Sequence, residues 1–267
     1  MNRRLALLLA VPLLTSCTVE DVTSVLGPRP NPQVAALADR AASDAAVLSG
    51  GQAELRARHA EELSAEITRL CGTHADGTVP ESCAFEAEAT ALPEVNINDS
   101  LALTLKATVP AESHALAIRQ AVDLAAEAPA DLPTRVELGT DADTARELLV
   151  REYATAWGLG VARAYLDPAR RDSVDELLDA HEVRIRILRE VLSPYGEVPV
   201  AEPGYELAGI SEPVDAAGAE ELVTRLEEDL VRTWLAAAVS ATAGPWREFA
   251  VRGTAEVETA AQAHVGG

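Results

Sequence analysis

The fold is decided by residues 141–192, which read DADTARELLVREYATAWGLGVARAYLDPARRDSVDELLDAHEVRIRILREVL. Asp141 is one of several residues that offer an N-cap to a helix running to Leu166. Pro168 breaks that helix, and the apolar periodicity predicts a second helix over 170–192. Because the break is so short, the two helices are predicted to be antiparallel neighbours.

Two further helices are predicted after a long connection. Residues 193–213 contain four prolines and cannot form one continuous helix. A third helix is predicted over 215–243, and Gly244-Pro245 separates it from a fourth that runs toward His264. Connections in the order short, long and short match the ferritin-like topology with its single crossover. With few aromatic residues and abundant alanine and leucine, the whole chain is predicted to be all-α.

Three of these predicted helices carry one polar residue on an otherwise apolar face. Glu152 lies on the stripe of the first helix, His181 on that of the second and Glu227 on that of the third. A buried carboxylate or imidazole is costly unless it is paired, hydrogen-bonded or bound to a cation. The three residues are therefore predicted to have partners in the core.

Several loose motifs in this region are shared with a known family. They are Glu152-Tyr153-Ala154 with Gly158 and Gly160, His181-x-x-Arg184 with Leu188, Pro203-Gly204-Tyr205, Leu226-Glu227, and Arg247. This set resembles a ferritin-like domain of unknown function found in exported bacterial lipoproteins of high-GC genomes. The resemblance covers about residues 143–264 and implies a ferritin-like four-helix bundle, whose predicted range is 140–265, and it implies no established activity.

A metal site is one interpretation of the polar core residues. Di-iron carboxylate bundles need a Glu-x-x-His motif from each of two helices, and this sequence has none. Glu152, His181 and Glu227, with Glu256 from the fourth helix, are at most the ligands of one iron or manganese ion. A second interpretation is a hydrogen-bonded polar layer of Glu152, His181, Arg184 and Glu227, because Arg184 can neutralise a carboxylate through a bidentate pair. Exposure of these side chains to solvent is the third. The incomplete ligand set favours the polar layer, without a cofactor.

Upstream of the bundle, residues 32–130 are predicted to form a smaller helical region. Its predicted helices cover 32–48, 52–70, 98–106 and 110–127. His59, in the second of them, is assigned to the solvated side. The segment 129–139 contains two prolines and little helical pattern, and it is predicted to be a linker to the bundle.

Cys71 and Cys83 are predicted to form a disulfide that closes a loop rich in turn-forming residues. Closing a loop of this size stabilises a fold by about 3 kcal/mol in the chain-entropy model. A metal site with His74 is the alternative, but the paired short spacings of a zinc site are missing. The helical region 32–130 is therefore predicted to be stapled by a disulfide, as is common in oxidising compartments.

The N-terminus resembles a bacterial lipoprotein signal. Two arginines precede a short apolar stretch that ends in Leu14-Thr15-Ser16-Cys17, where cleavage is expected. This pattern predicts a signal peptide over 1–16, a lipidated Cys17 and a tether over 17–31. An ordinary secretory signal that is cut at another position is the alternative. About ten apolar residues span roughly 15 Å as a helix, against a bilayer core of roughly 30 Å, so a transmembrane anchor is not predicted.

The chain is strongly acidic. Its formal charge is −21, and this becomes −23 when Arg3 and Arg4 leave with the signal peptide. Such acidity opposes binding to nucleic acid and to anionic lipid headgroups, and it keeps an exported protein soluble. The sequence also lacks a glycine-rich phosphate loop, a Gly-x-Ser-x-Gly elbow and a recognisable catalytic triad. An enzymatic activity is therefore not favoured.

These features predict a cell-envelope lipoprotein, held outside the cytoplasm by its lipid anchor, whose bundle is a binding or scaffolding module for an unidentified envelope protein. The second hypothesis is an extracytoplasmic metal-binding protein or oxidoreductase with a reduced ferritin-like site. Binding of an apolar ligand between helices is the third. On the third helix, Ala236-Ala237-Ala238 permits close helix approach, either within the bundle or in a homodimer.

Overall fold

The computed structural model describes residues 27–206 and 212–266. Within these residues the protein is all-helical, which confirms the predicted class. No helix in the described part combines the length and the apolar character needed to cross a bilayer. The predicted signal peptide, the lipidation site Cys17 and most of the predicted tether lie outside the described residues. The α-helices are α1 (Pro32–Val47), α2 (Gly50–Cys71), α3 (Ile97–Lys106), α4 (His114–Glu127), α5 (Ala142–Arg163), α6 (Pro168–Leu192), α7 (Ala216–Ser240) and α8 (Gly244–Gly266).

Several helices begin at capping or first-turn residues that the sequence provides. At the start of α1, the Asn31 side chain accepts hydrogen bonds from two backbone N–H groups, one of them that of Gln33. Asp215 accepts a hydrogen bond from the backbone N–H of Gly218 at the start of α7. Pro168 is the first residue of α6, where its missing N–H is not needed. Local signals of this kind mark the starts of α1, α6 and α7, whereas Asp141 makes no side-chain capping hydrogen bond to the first turn of α5.

The four C-terminal helices α5 to α8 pack as antiparallel neighbours. α5 packs against α6 and α7, while α8 packs against α7 and α6. At one end, the Asp141 carboxylate before α5 accepts hydrogen bonds from the backbone N–H groups of Thr242 and Ala243, which follow α7. At the other end, Ser173 near the start of α6 is hydrogen-bonded to His264 near the end of α8. Each helix therefore runs opposite to both of its packing neighbours.

The alanine triplet on α7 contributes to this packing. Ala237 is 3% exposed and Ala238 is 0% exposed, and both belong to the apolar core of the same chain. Ala236 is exposed. Close helix approach at the triplet thus occurs within the chain, and the homodimer stays a prediction.

The N-terminal helices pack on the C-terminal ones. α1 pairs with α2 and α3 pairs with α4, while α4 also lies against α7 and α8. One apolar core runs from Ile97 in α3 to Val257 in α8, and it includes Leu132 and Leu138. These two leucines lie in the segment 129–139 that the sequence predicts as a linker. The segment is therefore partly buried, and the division into two domains at this point stays a prediction.

A disulfide joins Cys71, the last residue of α2, to Cys83 in a short 3₁₀ turn. This confirms the predicted pairing. Cys83 is 1% exposed, and Cys71 packs against the apolar cluster that α1 and α2 share. The bridge therefore ties the loop after α2 to the core of the first helical pair.

Candidate functional site

A polar network lies in the core where α5, α6 and α7 meet. It contains Glu152 on α5, His181 and Arg184 on α6, and Glu227 on α7. None of the four residues is more than 2% exposed. His181 and Arg184 are three residues apart, so they share one face of α6 and both reach Glu152. The structure thus brings together the four residues that the sequence predicts for a polar layer.

Both ring nitrogens of His181 face carboxylates. Nδ1 lies 2.6 Å from Oε2 of Glu152, and Nε2 lies 2.9 Å from Oε1 of Glu227. A carboxylate accepts hydrogen bonds but cannot donate them, so each nitrogen carries a proton and we assign the ring as an imidazolium. Burial acts to lower the pKa of His181, but the hydrogen bonds to Glu152 and Glu227 outweigh it and raise the pKa above its ordinary value.

Glu152 accepts three hydrogen bonds. Arg184 donates from Nε to Oε1 at 2.8 Å, and Trp234 on α7 donates from Nε1 to the same oxygen at 2.7 Å. His181 donates to the other oxygen. Burial acts to raise the pKa of Glu152, but the charge of Arg184 and the hydrogen bond from His181 outweigh it and hold the pKa below its ordinary value. Glu152 is therefore an ionised carboxylate whose oxygens are both occupied by protein donors.

The charges of the network balance. Glu152 and Glu227 are two anions, and His181 and Arg184 are two cations. Nη2 of Arg184 lies 3.1 Å from Nδ1 of His181, but Nδ1 already donates to the nearer oxygen of Glu152. We therefore interpret this contact as the approach of two cations that share one carboxylate. One contribution still opposes folding. Oε2 of Glu227 is buried without a hydrogen-bond partner among the described residues, which costs desolvation free energy.

Trp234 is the member of the network that the sequence does not predict, and α8 holds it in place. A Cβ atom on Gly253 would lie 2.1 Å from ring carbon Cζ3 of Trp234, so glycine is needed for the indole to lie this close to α8. Phe249 packs on the indole with a centroid separation of 5.9 Å. These contacts from α8 aim the indole N–H at Glu152.

The arrangement does not fit an iron or manganese site. A metal needs free lone pairs on its carboxylates and an unprotonated imidazole nitrogen. Here Arg184 and Trp234 donate to Glu152, and both nitrogens of His181 donate to carboxylates. The guanidinium group of Arg184 also occupies the position beside Glu152 where a metal ion would bind, and its positive charge would repel that ion. Across residues 27–206 and 212–264, no group of three or more His, Cys, Asp or Glu side chains is placed to hold a metal ion.

Glu256, the fourth candidate metal ligand, lies apart from the other three. It belongs to α8 and makes no hydrogen bond to Glu152, His181 or Glu227. Instead it lines a cavity between α4, α6 and α8, and Arg184 lines the same cavity. Three of the four candidates therefore meet, and Glu256 does not join them.

The Glu152 network holds charges in place but offers no route for acid–base catalysis. General acid–base catalysis needs a proton-transferring group within hydrogen-bond reach of a substrate. His181 and Glu152 are both 0% exposed, and the ring nitrogens of His181 already face two carboxylates. Within the described part of the chain, no hydroxyl or thiol is hydrogen-bonded to His181. The network therefore acts on packing, by linking three helices through hydrogen bonds.

A second buried polar network connects α1, α2 and α4. Arg56 donates to Asp44 at 3.0 Å and to Nδ1 of His59 at 2.8 Å, while Nε2 of His59 lies 3.0 Å from a carboxylate oxygen of Asp123. Because Arg56 can only donate, Nδ1 of His59 is an acceptor and Nε2 carries the proton. His59 is 0% exposed, so its predicted placement on the solvated side is wrong. Its ring is held by an arginine on one side and a carboxylate on the other.

Over the described residues, the fold and the site define an all-helical protein whose core contains a charge-balanced polar network. Residues 144–265 match the family described as Domain of unknown function (DUF4439). That range covers nearly all of α5 to α8 and contains every member of the Glu152 network. The match confirms that a domain of unknown function occupies the C-terminal helices. Searches of curated proteins and of solved structures gave no significant match.

Proposed function

We propose that this protein is a membrane-anchored lipoprotein of the bacterial cell envelope, and that its C-terminal helices are a ferritin-like four-helix bundle acting as a binding or scaffolding module. Cys17 is the proposed lipidation site, and its acyl chains are the proposed anchor. No catalytic step is assigned to the chain.

Connections and directions of the helices support a ferritin-like arrangement. Short connections join α5 to α6 and α7 to α8, while residues 193–215 link α6 to α7. Since each helix is antiparallel to both of its packing neighbours, α6 and α7 point the same way. Two helices that point the same way need a crossover as long as a helix, and this is the single long connection of ferritin-like bundles.

The observation that carries the scaffolding role is the occupation of Glu152 by protein donors. Arg184, His181 and Trp234 together use both oxygens of this carboxylate. They come from α6 and α7, so their hydrogen bonds tie α5 to two other helices. A core closed in this way supports a fixed surface and leaves no open position for a metal-bound reactant.

An aromatic groove supports the binding role. It has a volume of about 750 Å³ and lies between α5, α6 and the crossover. Tyr153, Trp157 and Tyr205 line it, and the rings of Trp157 and Tyr205 meet edge to face with centroids 6.2 Å apart. Tyrosine and tryptophan are enriched at protein interfaces, and they are common among the few residues that carry most of the binding energy. We assign this groove as the surface for an envelope protein partner.

Sequence and disulfide support the proposed location. Leu14-Thr15-Ser16-Cys17 follows a charged start and an apolar stretch. The bridge between Cys71 and Cys83 fits an oxidising compartment, where disulfides persist. The acidic chain would not be drawn to anionic headgroups, so attachment would depend on acyl chains, and two or more of these anchor firmly.

Metabolic labelling with an alkyne-tagged fatty acid tests the anchor. We expect the wild-type chain to carry the label and to fractionate with membranes, and we expect Cys17→Ser to lose both. Ser16→Ala is the matched control, because it keeps a small residue before the cysteine and should keep the label. An unlabelled wild-type chain, or a labelled Cys17→Ser chain, would remove the lipoprotein assignment.

Site-specific photo-crosslinking in cells tests the partner. Glu182 is exposed and lines the aromatic groove, whereas Glu228 is exposed on α7, away from the groove lining. A photoreactive amino acid replaces one or the other in two separate variants. We expect Glu182 to capture one envelope protein and Glu228 to capture none. The binding role fails if both positions give the same products or if neither gives any.

A further inference from the structure

The cavity that contains Glu256 has the properties of a small-molecule site. It lies between the end of α4, α6 and α8 and has a volume of about 460 Å³. Small-molecule sites are typically clefts of about 300–1,000 Å³ with apolar walls and a few polar groups. Most of this lining is small and apolar, and it includes Ala125, Ala180, Ala255 and Ala260.

Both cations in the cavity wall already have partners. Arg184 donates to Glu152 at 2.8 Å. Arg252 donates to Glu248 at 3.0 Å and more weakly to the backbone oxygen of Ala128 at 3.4 Å. Both guanidinium groups are therefore already paired with carboxylates, so neither favours the binding of an anion.

The carboxyl group of Glu256 differs from the two guanidinium groups because no side chain in the described part of the chain pairs with it. Its carboxyl group is partly buried in the cavity wall, and it has no hydrogen-bond or ion-pair partner among the described residues. Desolvation by burial raises the pKa of Glu256, and the positive charge of Arg184 offsets only part of that rise. A carboxylate in an apolar wall is stabilised when a cation arrives to pair with it. Among the charged side chains that line the cavity, only Glu256 lacks a partner within the described residues, so the cavity favours a ligand with a positive charge.

We propose that this cavity binds a small organic cation, such as a protonated primary amine on an apolar body, with Glu256 as its counter-ion. The apolar body packs against the alanine-rich wall, and the ammonium group donates to the Glu256 carboxylate. The formal charge of −21 favours the approach of cations over anions. This site lies beyond the proposed function, because it depends neither on the lipid anchor nor on a protein in the aromatic groove.

Calorimetric titration of the purified full chain with 4-phenylbutylamine, protonated at neutral pH, tests the proposal. The chain carries Cys17→Ser, so that no acyl chain competes for the cavity, and an ionic strength of about 0.15 M screens diffuse attraction. We expect saturable binding at one site. Glu256→Gln should weaken it at least about tenfold, because hydrogen bonds to charged groups contribute on that scale.

Three controls separate a specific site from general acidity. Glu221→Gln removes the same charge from an exposed position on α7 and should leave the affinity unchanged. The anion 4-phenylbutyrate has the same apolar body and should not bind. Val183→Trp adds bulk at a cavity-lining residue that is 47% exposed, so it should fold normally and weaken binding.

Several results would overturn the assignment. They are an absence of saturable amine binding, equal affinity in Glu256→Gln and wild type, an equal loss in Glu221→Gln, and binding of the anion as tight as that of the amine. Thermal unfolding of Glu256→Gln is the check on its fold. We expect its midpoint at or above that of wild type, because the substitution neutralises an unpaired carboxyl group. If the variant fails to fold, Val183→Trp decides the question, and unchanged affinity there overturns the site.

Discussion

Replacing Arg184 with methionine is expected to destabilise the fold by about 3–5 kcal/mol, the scale observed when one partner of a buried ion pair is removed. The side chain of Arg184 is 3% exposed, and that of Glu152 is 0% exposed. Without the guanidinium, two carboxylates share one imidazolium, and a net negative charge stays in the core. Methionine retains much of the side-chain volume, so the effect of an empty cavity is limited.

Urea unfolding of the purified chain measures this loss, and Arg186→Met is the matched control. Arg186 lies two residues further along α6, and its side chain is 59% exposed. Its ion pair with Glu190 spans 3.3 Å at the surface, where such pairs contribute about 0–1 kcal/mol. We therefore expect the control to change the free energy of unfolding by less than about 1 kcal/mol.

A double-mutant cycle separates the effect of charge from that of packing. Glu152→Gln removes one negative charge, so combining it with Arg184→Met leaves His181 and Glu227 as a balanced pair. The combined loss should be smaller than the sum of the single losses by about 1–3 kcal/mol, as for residues in one ion-pair network. Equal losses for Arg184→Met and Arg186→Met, or additive losses in the cycle, would show that Arg184 does not stabilise the core by balancing its charge.

Four further predictions concern the same core. Trp234→Phe removes the donor to Glu152 and should cost about 1–3 kcal/mol in urea unfolding. Trp246→Phe is its control, since the buried Nε1 of Trp246 has no partner among the described residues, and equal losses would contradict the assigned hydrogen bond. Gly253→Ala should displace the indole of Trp234 and lower the free energy of unfolding by about 1–3 kcal/mol. A lower Tm and an altered near-UV circular dichroism spectrum would report this change. An unchanged spectrum would contradict the close packing of Trp234 on Gly253. Because the pKa of His181 is raised on folding, the protonated ring contributes stability that is fully present below the unfolded pKa of 6.5 and is lost as pH rises through the folded pKa. The free energy of unfolding of wild type should therefore exceed that of His181→Gln at low pH, and this difference should shrink as pH rises through the folded pKa. A difference that does not depend on pH would argue against the imidazolium. Elemental analysis after anaerobic loading with iron or manganese should find no stoichiometric metal, and stoichiometric metal that disappears in Glu152→Ala would restore the metal interpretation.

The helices could be predicted because their ends carry local signals. Asn31 and Asp215 cap the first turns of α1 and α7, and Pro168 occupies the first turn of α6. The break after α5 is less well predicted, since that helix ends at Arg163 and not at Leu166. Residues 164–166 donate to carbonyl groups three residues back, which is a tighter turn that apolar periodicity does not reveal.

The polar layer could be predicted because its members interrupt apolar stripes, but its hydrogen bonds could not. Trp234 is 82 residues from Glu152 in sequence, and a tryptophan on an apolar face reads as a packing residue. Only the arrangement of α5, α7 and α8 shows that its N–H points at a carboxylate. The place of Glu256 also depends on tertiary structure, because its cavity exists only where α4 packs near α6 and α8.

The burial of His59 could be predicted from its spacing relative to apolar residues, although charged residues surround it in the sequence. Leu55, His59, Leu63 and Ile67 recur every fourth residue and so lie on one face of α2. The two leucines and the isoleucine are all buried, as is His59 between them. A histidine in such a row is better predicted as a buried polar residue, and Asp123 on α4 is the partner that sequence spacing alone does not identify.

The Glu152 network also constrains the relation between the two C-terminal helix pairs. A purely apolar layer tolerates small rotations of one helix against another, whereas hydrogen bonds of 2.6–2.9 Å do not. Glu152 and Arg184 belong to the pair before the crossover, and Glu227 and Trp234 belong to the pair after it. The network therefore fixes the two pairs in one register, which is the role best attested for buried polar groups. Because Arg184 lies in both this network and the wall of the Glu256 cavity, the charge balance that sets the register also sets the field that a ligand in the cavity would meet.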